Sequence, residues 1–171
     1  WVEGGIAGDD AVEIARALMA APALLLLDEP AAGLRYLEKQ ELRALLKSLQ
    51  RSLDLAILLI TRDLGVVAQL ADEVVVMYLG RVVESGPVRA ILKKPRHPYT
   101  MGLLRCVPRF GMNKTDAALQ TIPGTLPALG DPLEGCVYSA RCPMAKPVCT
   151  RREPDFFAWP SDAPEKGRSE A

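Results

Sequence analysis

The stretch Ala23-Leu24-Leu25-Leu26-Leu27-Asp28-Glu29-Pro30 constrains this chain more than any other. Five apolar residues without alternation read as a short strand buried on both faces. Pro30 lacks a backbone donor and stops it. The surrounding apolar run, Ala17 to Leu27, is eleven residues long. A membrane-crossing helix needs about 20, so no direct membrane insertion is expected. A strand buried on both faces needs helices above and below it.

The flanking sequence supplies them. Asp9 or Asp10 can cap a helix whose apolar positions include Val12, Ile14, Ala15 and Leu18, ended by Pro22. A helix is predicted over 36–49, with Leu37, Leu42, Leu45, Leu46 and Leu49 on one side. A second buried strand follows over 55–61, a short helix over 63–70 and a third strand over 73–78. Gly80 opens a turn, Arg81 to Glu84 pair back as a hairpin, and Ser85-Gly86-Pro87 leads into a helix over 87–93. Strands separated by helices predict an α/β fold with a mainly parallel sheet.

The net charge is zero, which gives no overall field attracting nucleic acid, so no nucleic-acid partner is expected. That balance hides a split. Residues 1–92 hold 9 Lys and Arg against 13 Asp and Glu, and residues 93–171 hold 12 against 8. Of 14 prolines, 11 fall after residue 92, as do all four cysteines. The expected division is 1–92, then 93–159, then a small polar tail over 160–171. The chain opens on Trp1 rather than Met, and is expected to begin inside a longer protein.

Chemistry concentrates at Asp28-Glu29. Ligands of open parallel sheets collect at the carboxyl ends of strands. An acid there can hold Mg²⁺ through water, and a neighbouring acid can orient or deprotonate an attacking water. Taken alone, the same residues equally describe a strand running out into a turn.

Four apolar residues followed by Asp28-Glu29-Pro30 resemble the Walker B strand of ATP-binding cassette (ABC) ATPases. Arg16-Ala17-Leu18 resembles the end of that family's signature helix, and Leu58-Leu59-Ile60-Thr61-Arg62-Asp63-Leu64 its switch segment. Residues 71–86 resemble its closing strands. The resemblance implies ATP and Mg²⁺ as cofactors, Asp28 as the magnesium ligand, and Glu29 as the water-orienting base. It places Arg62 at the switch position and Gly8 at the end of the signature loop, facing nucleotide. The departures are specific. No G-x-x-x-x-G-K-[ST] loop is present, Gly4-Gly5-Ile6-Ala7-Gly8-Asp9-Asp10 replaces Leu-Ser-Gly-Gly-Gln, and Arg35 and Arg62 replace an acid and a histidine. Arg62 can neutralise phosphate but cannot accept a hydrogen bond as neutral imidazole does. By this reading the polypeptide alone hydrolyses no ATP.

Pro95-Arg96-His97-Pro98-Tyr99-Thr100 and Gly102-Leu103-Leu104 resemble the His-Pro-Tyr-Thr segment of ATP-binding subunits of oligopeptide, dipeptide and nickel ABC importers. His97 reads as a turn residue before Pro98 rather than as a ligand. Thr121 to Pro127 and Gly135 to Cys149 resemble that group's tail. Cys136, Cys142 and Cys149 are spaced C-x5-C-x6-C, with Cys106 far upstream. Reduced thiols in turns are one reading, and zinc is disfavoured because its sites prefer C-x2-C pairs. The resemblance implies a [4Fe–4S] cluster on the four thiolates.

The expected fold is thus the C-terminal part of an ABC nucleotide-binding domain plus an irregular Cys- and Pro-rich extension. The expected function is a partial ATP-binding subunit of an importer for peptides or related solutes. Its implied partners are a second ABC ATPase subunit and transmembrane permease subunits, at the cytoplasmic face of the inner membrane. The alternatives are an inactive interaction module and a small metal-binding protein. Strands such as 55–60 are also expected to expose an edge or a face, an aggregation liability.

Overall fold

The structure, a computed structural model, describes residues 8–107, 121–128, 130 and 134–156. Gly4 to Ala7 of the altered signature segment, and the tail 160–171, lie outside the described residues. Two compact units divide between Ile122 and Pro123.

In the first unit, helix α1 (Gly8–Leu18) presents Ile14 inward and stops before Ala21, where φ is 46°, and Pro22. Strand β1 (Leu24–Asp28) follows, then helix α2 (Tyr36–Leu53). The backbone N–H of Arg35 donates to Glu38 Oε2 at 2.7 Å, which starts α2 by occupying an otherwise orphaned donor. Asp54, left-handed at φ 50°, ends it. α2 runs four residues past the expected end because Gln50, Arg51, Ser52 and Leu53 add no breaker.

Strand β2 (Ala56–Ile60) pairs parallel with β1, in register from Leu24↔Ala56 to Asp28↔Ile60. Helix α3 (Leu64–Leu70) returns across it, capped by Asp63, whose Oδ1 accepts from the N–H groups of Gly65 and Val66. Strands β3 (Glu73–Tyr78) and β4 (Arg81–Pro87) form a separate antiparallel hairpin with an irregularity at Val76/Met77. β4 continues through Ser85-Gly86-Pro87, beyond Glu84, where the sequence suggested that the hairpin strand ends. Gly86 allows this with φ 154°, while Pro87 sits at the terminal rung. Helices α4 (Val88–Lys93) and α5 (Pro98–Arg105) complete the unit.

The core joins Ile14, Leu25, Leu34, Leu42, Leu46, Leu55 and Val66. Burial of a leucine side chain contributes about 1.5–3 kcal/mol, so these residues dominate the cohesion of the first unit. The expectation of strands buried on both faces is corrected. Leu25, Leu27, Ile57 and Leu59 face the core, but Leu24, Leu26, Leu58 and Ile60 are 50–64% exposed on the other face. Helices of the described residues cover one side only. The expected exposed face is therefore present.

The second unit is built differently. Among the described residues its regular elements are two single 3₁₀ turns, Ser139–Arg141 and Pro147–Thr150. Tyr138, 2% exposed, is its buried hydrophobic residue among those described. Backbone bonds close it: Cys136 N–H donates to Cys149 C=O at 2.7 Å. Arg141 Nε donates to Pro123 C=O at 2.9 Å.

Candidate functional site

The parallel pairing of β1 and β2 sets their carboxyl ends side by side. Glu29 N–H donates to Ile60 C=O at 2.8 Å, one step beyond the last rung. The chain then turns at once. Glu29 is left-handed at φ 48°, an uncommon conformation for a residue with a Cβ. Its carbonyl accepts from Ala32 N–H at 2.9 Å, and buried Pro30 and Ala31 anchor the loop. Tight hydrogen bonding on both sides thus holds Glu29 in place while its side chain reaches the exit of β2.

There it meets Arg62. Arg62 Nε donates to Glu29 Oε1 at 2.7 Å. Thr61 Oγ1 donates to Glu29 Oε2 at 3.3 Å, and the Arg62 backbone N–H approaches the same oxygen at 3.5 Å. The Arg62 hydrogen bond holds the Glu29 carboxyl below its ordinary pKa, against a smaller opposing effect of desolvation. The Glu29 side chain is 29% exposed and the Arg62 side chain 92% exposed. A carboxylate so engaged is a weaker base than a free one, and its lone pairs point at the guanidinium instead of at a water.

Asp28 closes β1 and is exposed. Among the described residues its carboxylate makes no hydrogen bond or ion pair, so it is free to face a hydrated cation. Gly8 opens α1. Of the four residues singled out for nucleotide chemistry, Glu29 and Arg62 are brought together. Thr61 is the contact that sequence reasoning passed over; its signal was its place directly before Arg62 in the same segment. Neither Asp28 nor Glu29 lines the two cavities described below.

The His-Pro-Tyr-Thr segment has its own anchor. Glu84, 9% exposed, accepts from the N–H of Arg96 at 2.7 Å and of His97 at 3.1 Å. His97 Nδ1 accepts from Tyr99 N–H at 3.1 Å and caps α5, so Nδ1 carries no proton. Burial lowers the His97 pKa, while Glu84 pulls the other way. The rings of Tyr78 and Tyr99 pack at 4.7 Å between centroids. The structure makes this segment the hinge-pin of β4 and α5.

Cys106, Cys136, Cys142 and Cys149 are all free thiols. Among the described residues no three His, Cys, Asp or Glu side chains gather closely enough to hold a metal ion. In the second unit the sulfurs accept backbone bonds instead: Met144 N–H to Cys142 Sγ and Lys146 N–H to Cys149 Sγ, both 3.4 Å. Cys106 follows α5, its N–H bonded to the carbonyls of Gly102 and Leu103. Within the second unit, Cys136, Cys142 and Cys149 do not gather as a metal site. Sequence spacing alone does not fix where sulfurs point.

Residues 83–149 match the family described as the oligopeptide/dipeptide transporter, C-terminal region. The match covers 67 of the 171 residues. A putative peptide import ATP-binding protein of Brucella ovis is 45% identical over 140 residues, covering 80% of this chain and 41% of that protein. The dipeptide transport ATP-binding protein DppD of Bacillus subtilis is 46% identical over 143 residues, 84% of this chain and 42% of its own length. The oligopeptide transport ATP-binding protein OppD of Salmonella typhimurium is 43% identical, with the same coverage. A match of that length in a chain of 171 residues must include much of 1–92 as well as the C-terminal region. The chain spans about two fifths of the length of these relatives. Among solved structures, the ADP conformation of an ATP-binding cassette of an ABC transporter aligns with TM-score 0.49 and 25% identity, over 56% of this chain and 40% of that one. Among the described residues no helix is long and apolar enough to cross a membrane.

Proposed function

We propose that this chain is the C-terminal portion of an ATP-binding subunit of an importer for peptides or related solutes. Residues 1–92 are its share of the ATPase domain, 93–159 the extension of the oligopeptide group, and 160–171 a tail. The observation that carries this reading is the meeting of Glu29 with Thr61 and Arg62 across the carboxyl ends of two parallel strands. Two segments 33 positions apart are thereby assembled into one acidic and cationic edge.

Each side chain there has a role with respect to ATP as substrate. Asp28, exposed and without a protein partner among the described residues, would hold Mg²⁺ through water. When bound, that ion supplies charge neutralisation between the phosphates. Glu29 orients the attacking water once Arg62 releases it. Arg62, on a mobile-length side chain in solvent, is drawn to phosphate oxygens bidentately. In the assembled importer the partners are a second ATP-binding subunit and permease subunits, and the chain is peripheral to the cytoplasmic face of the membrane.

The same ion pair favours a second reading, in which the chain holds a subunit's place without turning ATP over. Calorimetry of Mg²⁺–ATP binding, with and without a full-length second ATP-binding subunit of the dipeptide type, separates the two. The first reading expects magnesium-dependent nucleotide binding in the pair that Asp28→Ala weakens, and no turnover by the chain alone. Association with the second subunit without any effect of Asp28→Ala on nucleotide supports the placeholder. Failure to associate and failure to bind nucleotide together overturn both. Magnesium-dependent turnover by the chain alone, abolished by Glu29→Gln, would overturn the expectation of inactivity.

A further inference from the structure

The outward side of α2 carries a pattern that the nucleotide chemistry does not use. Lys39, Arg43, Lys47 and Arg51 recur at every fourth position. Residues so spaced lie on one helix face, about 6 Å apart along the axis. All four line concavities. Lys39 and Arg43 line a cavity of about 190 Å³ between α2 and α3. Lys47 and Arg51 line a second, of about 460 Å³, which reaches Arg89 on α4. Both cavities share Gln69 and Leu70, so they form one groove along α2.

The charges in this groove are not balanced within the described residues. Its five cations face two carboxylates, Asp63 and Asp72. Asp63 is spent: Oδ2 accepts from Lys39 Nζ at 2.6 Å and Oδ1 caps α3. Arg43 Nη1 reaches only neutral amide oxygens, Gln40 at 3.3 Å and Gln69 at 3.2 Å. Lys47, Arg51 and Arg89 form no ion pair among the described residues. Like charges one turn apart repel and destabilise a helix, and no acid on the same face relieves 43, 47 and 51. The cationic groove also lies in the part of the chain whose net charge is negative, with 9 Lys and Arg against 13 Asp and Glu over 1–92.

We infer that this groove is a docking site for an acidic helical segment of a partner protein, one with carboxylates at four-residue spacing. The repeat of the cations matches the rise of such a helix lying along α2, and Gln40 and Gln69 offer amide donors between the charges. A flat anionic membrane fits poorly, because Lys39, Arg43 and Lys47 are half-buried in concave walls. Single-stranded nucleic acid fits poorly, because such sites stack bases on several aromatic rings and Tyr36 is the single aromatic residue lining either cavity.

Fluorescence anisotropy with the full chain tests this. The probe is a capped alanine-based helical peptide with Glu at every fourth position, read against the same peptide with Gln. The expected result is at least about tenfold weaker binding of the Gln peptide, about tenfold weaker binding by Lys47→Gln/Arg51→Gln, and loss of binding as salt is raised. The charge-swapped Lys47→Glu/Arg51→Glu protein should recover binding to a Lys-bearing peptide, which shows that the variant is folded. Equal binding of the two peptides, unchanged binding by the double variant, or tighter binding of phosphatidylglycerol vesicles or oligothymidylate of equal charge each overturns the proposal.

Discussion

The two units hold together by different physics. The first buries a continuous aliphatic cluster around Leu25, Leu42 and Leu46. The second buries Tyr138 and otherwise relies on where its backbone groups find partners. A cluster spreads its stability over many contacts and tolerates modest change at its rim. A backbone-closed unit concentrates stability in a few positions where no side-chain adjustment can substitute. The sharpest way to break this contrast is to remove one element of each kind and ask whether the damage stays in its own unit.

The largest expected effect is Leu42→Ala, 1% exposed at the centre of the cluster. It should cost about 3 kcal/mol and raise hydrogen exchange at core amides such as those of Leu25 and Leu46. The amides of Cys136 and Cys149 should be unaffected; a matching rise there would show that the units share one cooperative core. Next is Gly135→Ala. Gly135 sits at φ 66°, and a Cβ there would collide with the Cys149 carbonyl oxygen. The cost should be about 2 kcal/mol or more, read as lost protection of the Cys136 N–H with the α2 amides unchanged. Ordinary protection of Cys136 in that variant would mean that the closure is not what holds the unit.

Asp63→Ala removes a helix cap and an ion pair from the first unit together, and should cost about 1–2 kcal/mol. Lys39 and the N–H groups of Val66 and Gly65 hold the Asp63 pKa below its usual value, against desolvation. The unfolded chain therefore binds the proton more readily than the folded one. Asp63's contribution is complete above its unfolded pKa, about 4, and is lost as pH falls through the lower folded value. A stability profile measured below pH 5 should be flatter in Asp63→Ala than in wild type. The smallest effect is a gain. Thr100 is 3% exposed and its Oγ1 has no hydrogen-bond partner among the described residues. Thr100→Val should stabilise by up to about 1 kcal/mol, and a loss would show that the hydroxyl is paired in solution.

How much of this was legible differs by region for the same physical reasons. The strand over 73–78 was readable to the residue because its β-branched run ends at a Leu79-Gly80 turn. The burial of β1 was not. Four leucines in a row carry no alternation, so one-sided and two-sided burial look alike until a layer is seen to be missing. Resemblance in sequence singled out Glu29 and Arg62 separately, but their contact, a closed ion pair, follows from parallel register and a left-handed turn. The basic groove was visible as a four-residue period in α2, yet attention to the apolar side of a helix hides its other face. In the second unit, resemblance implied a ligand set, whereas the direction of each sulfur depends on backbone turns that few side chains dictate.

The bare face of the parallel pair has a consequence that is colloidal rather than conformational. Among the described residues nothing covers Leu24, Leu26, Leu58 and Ile60 in the folded chain. A native molecule of this kind is adhesive without unfolding. Dilution, detergent or a solvatochromic dye, more than temperature or denaturant, should then govern how it behaves in a tube.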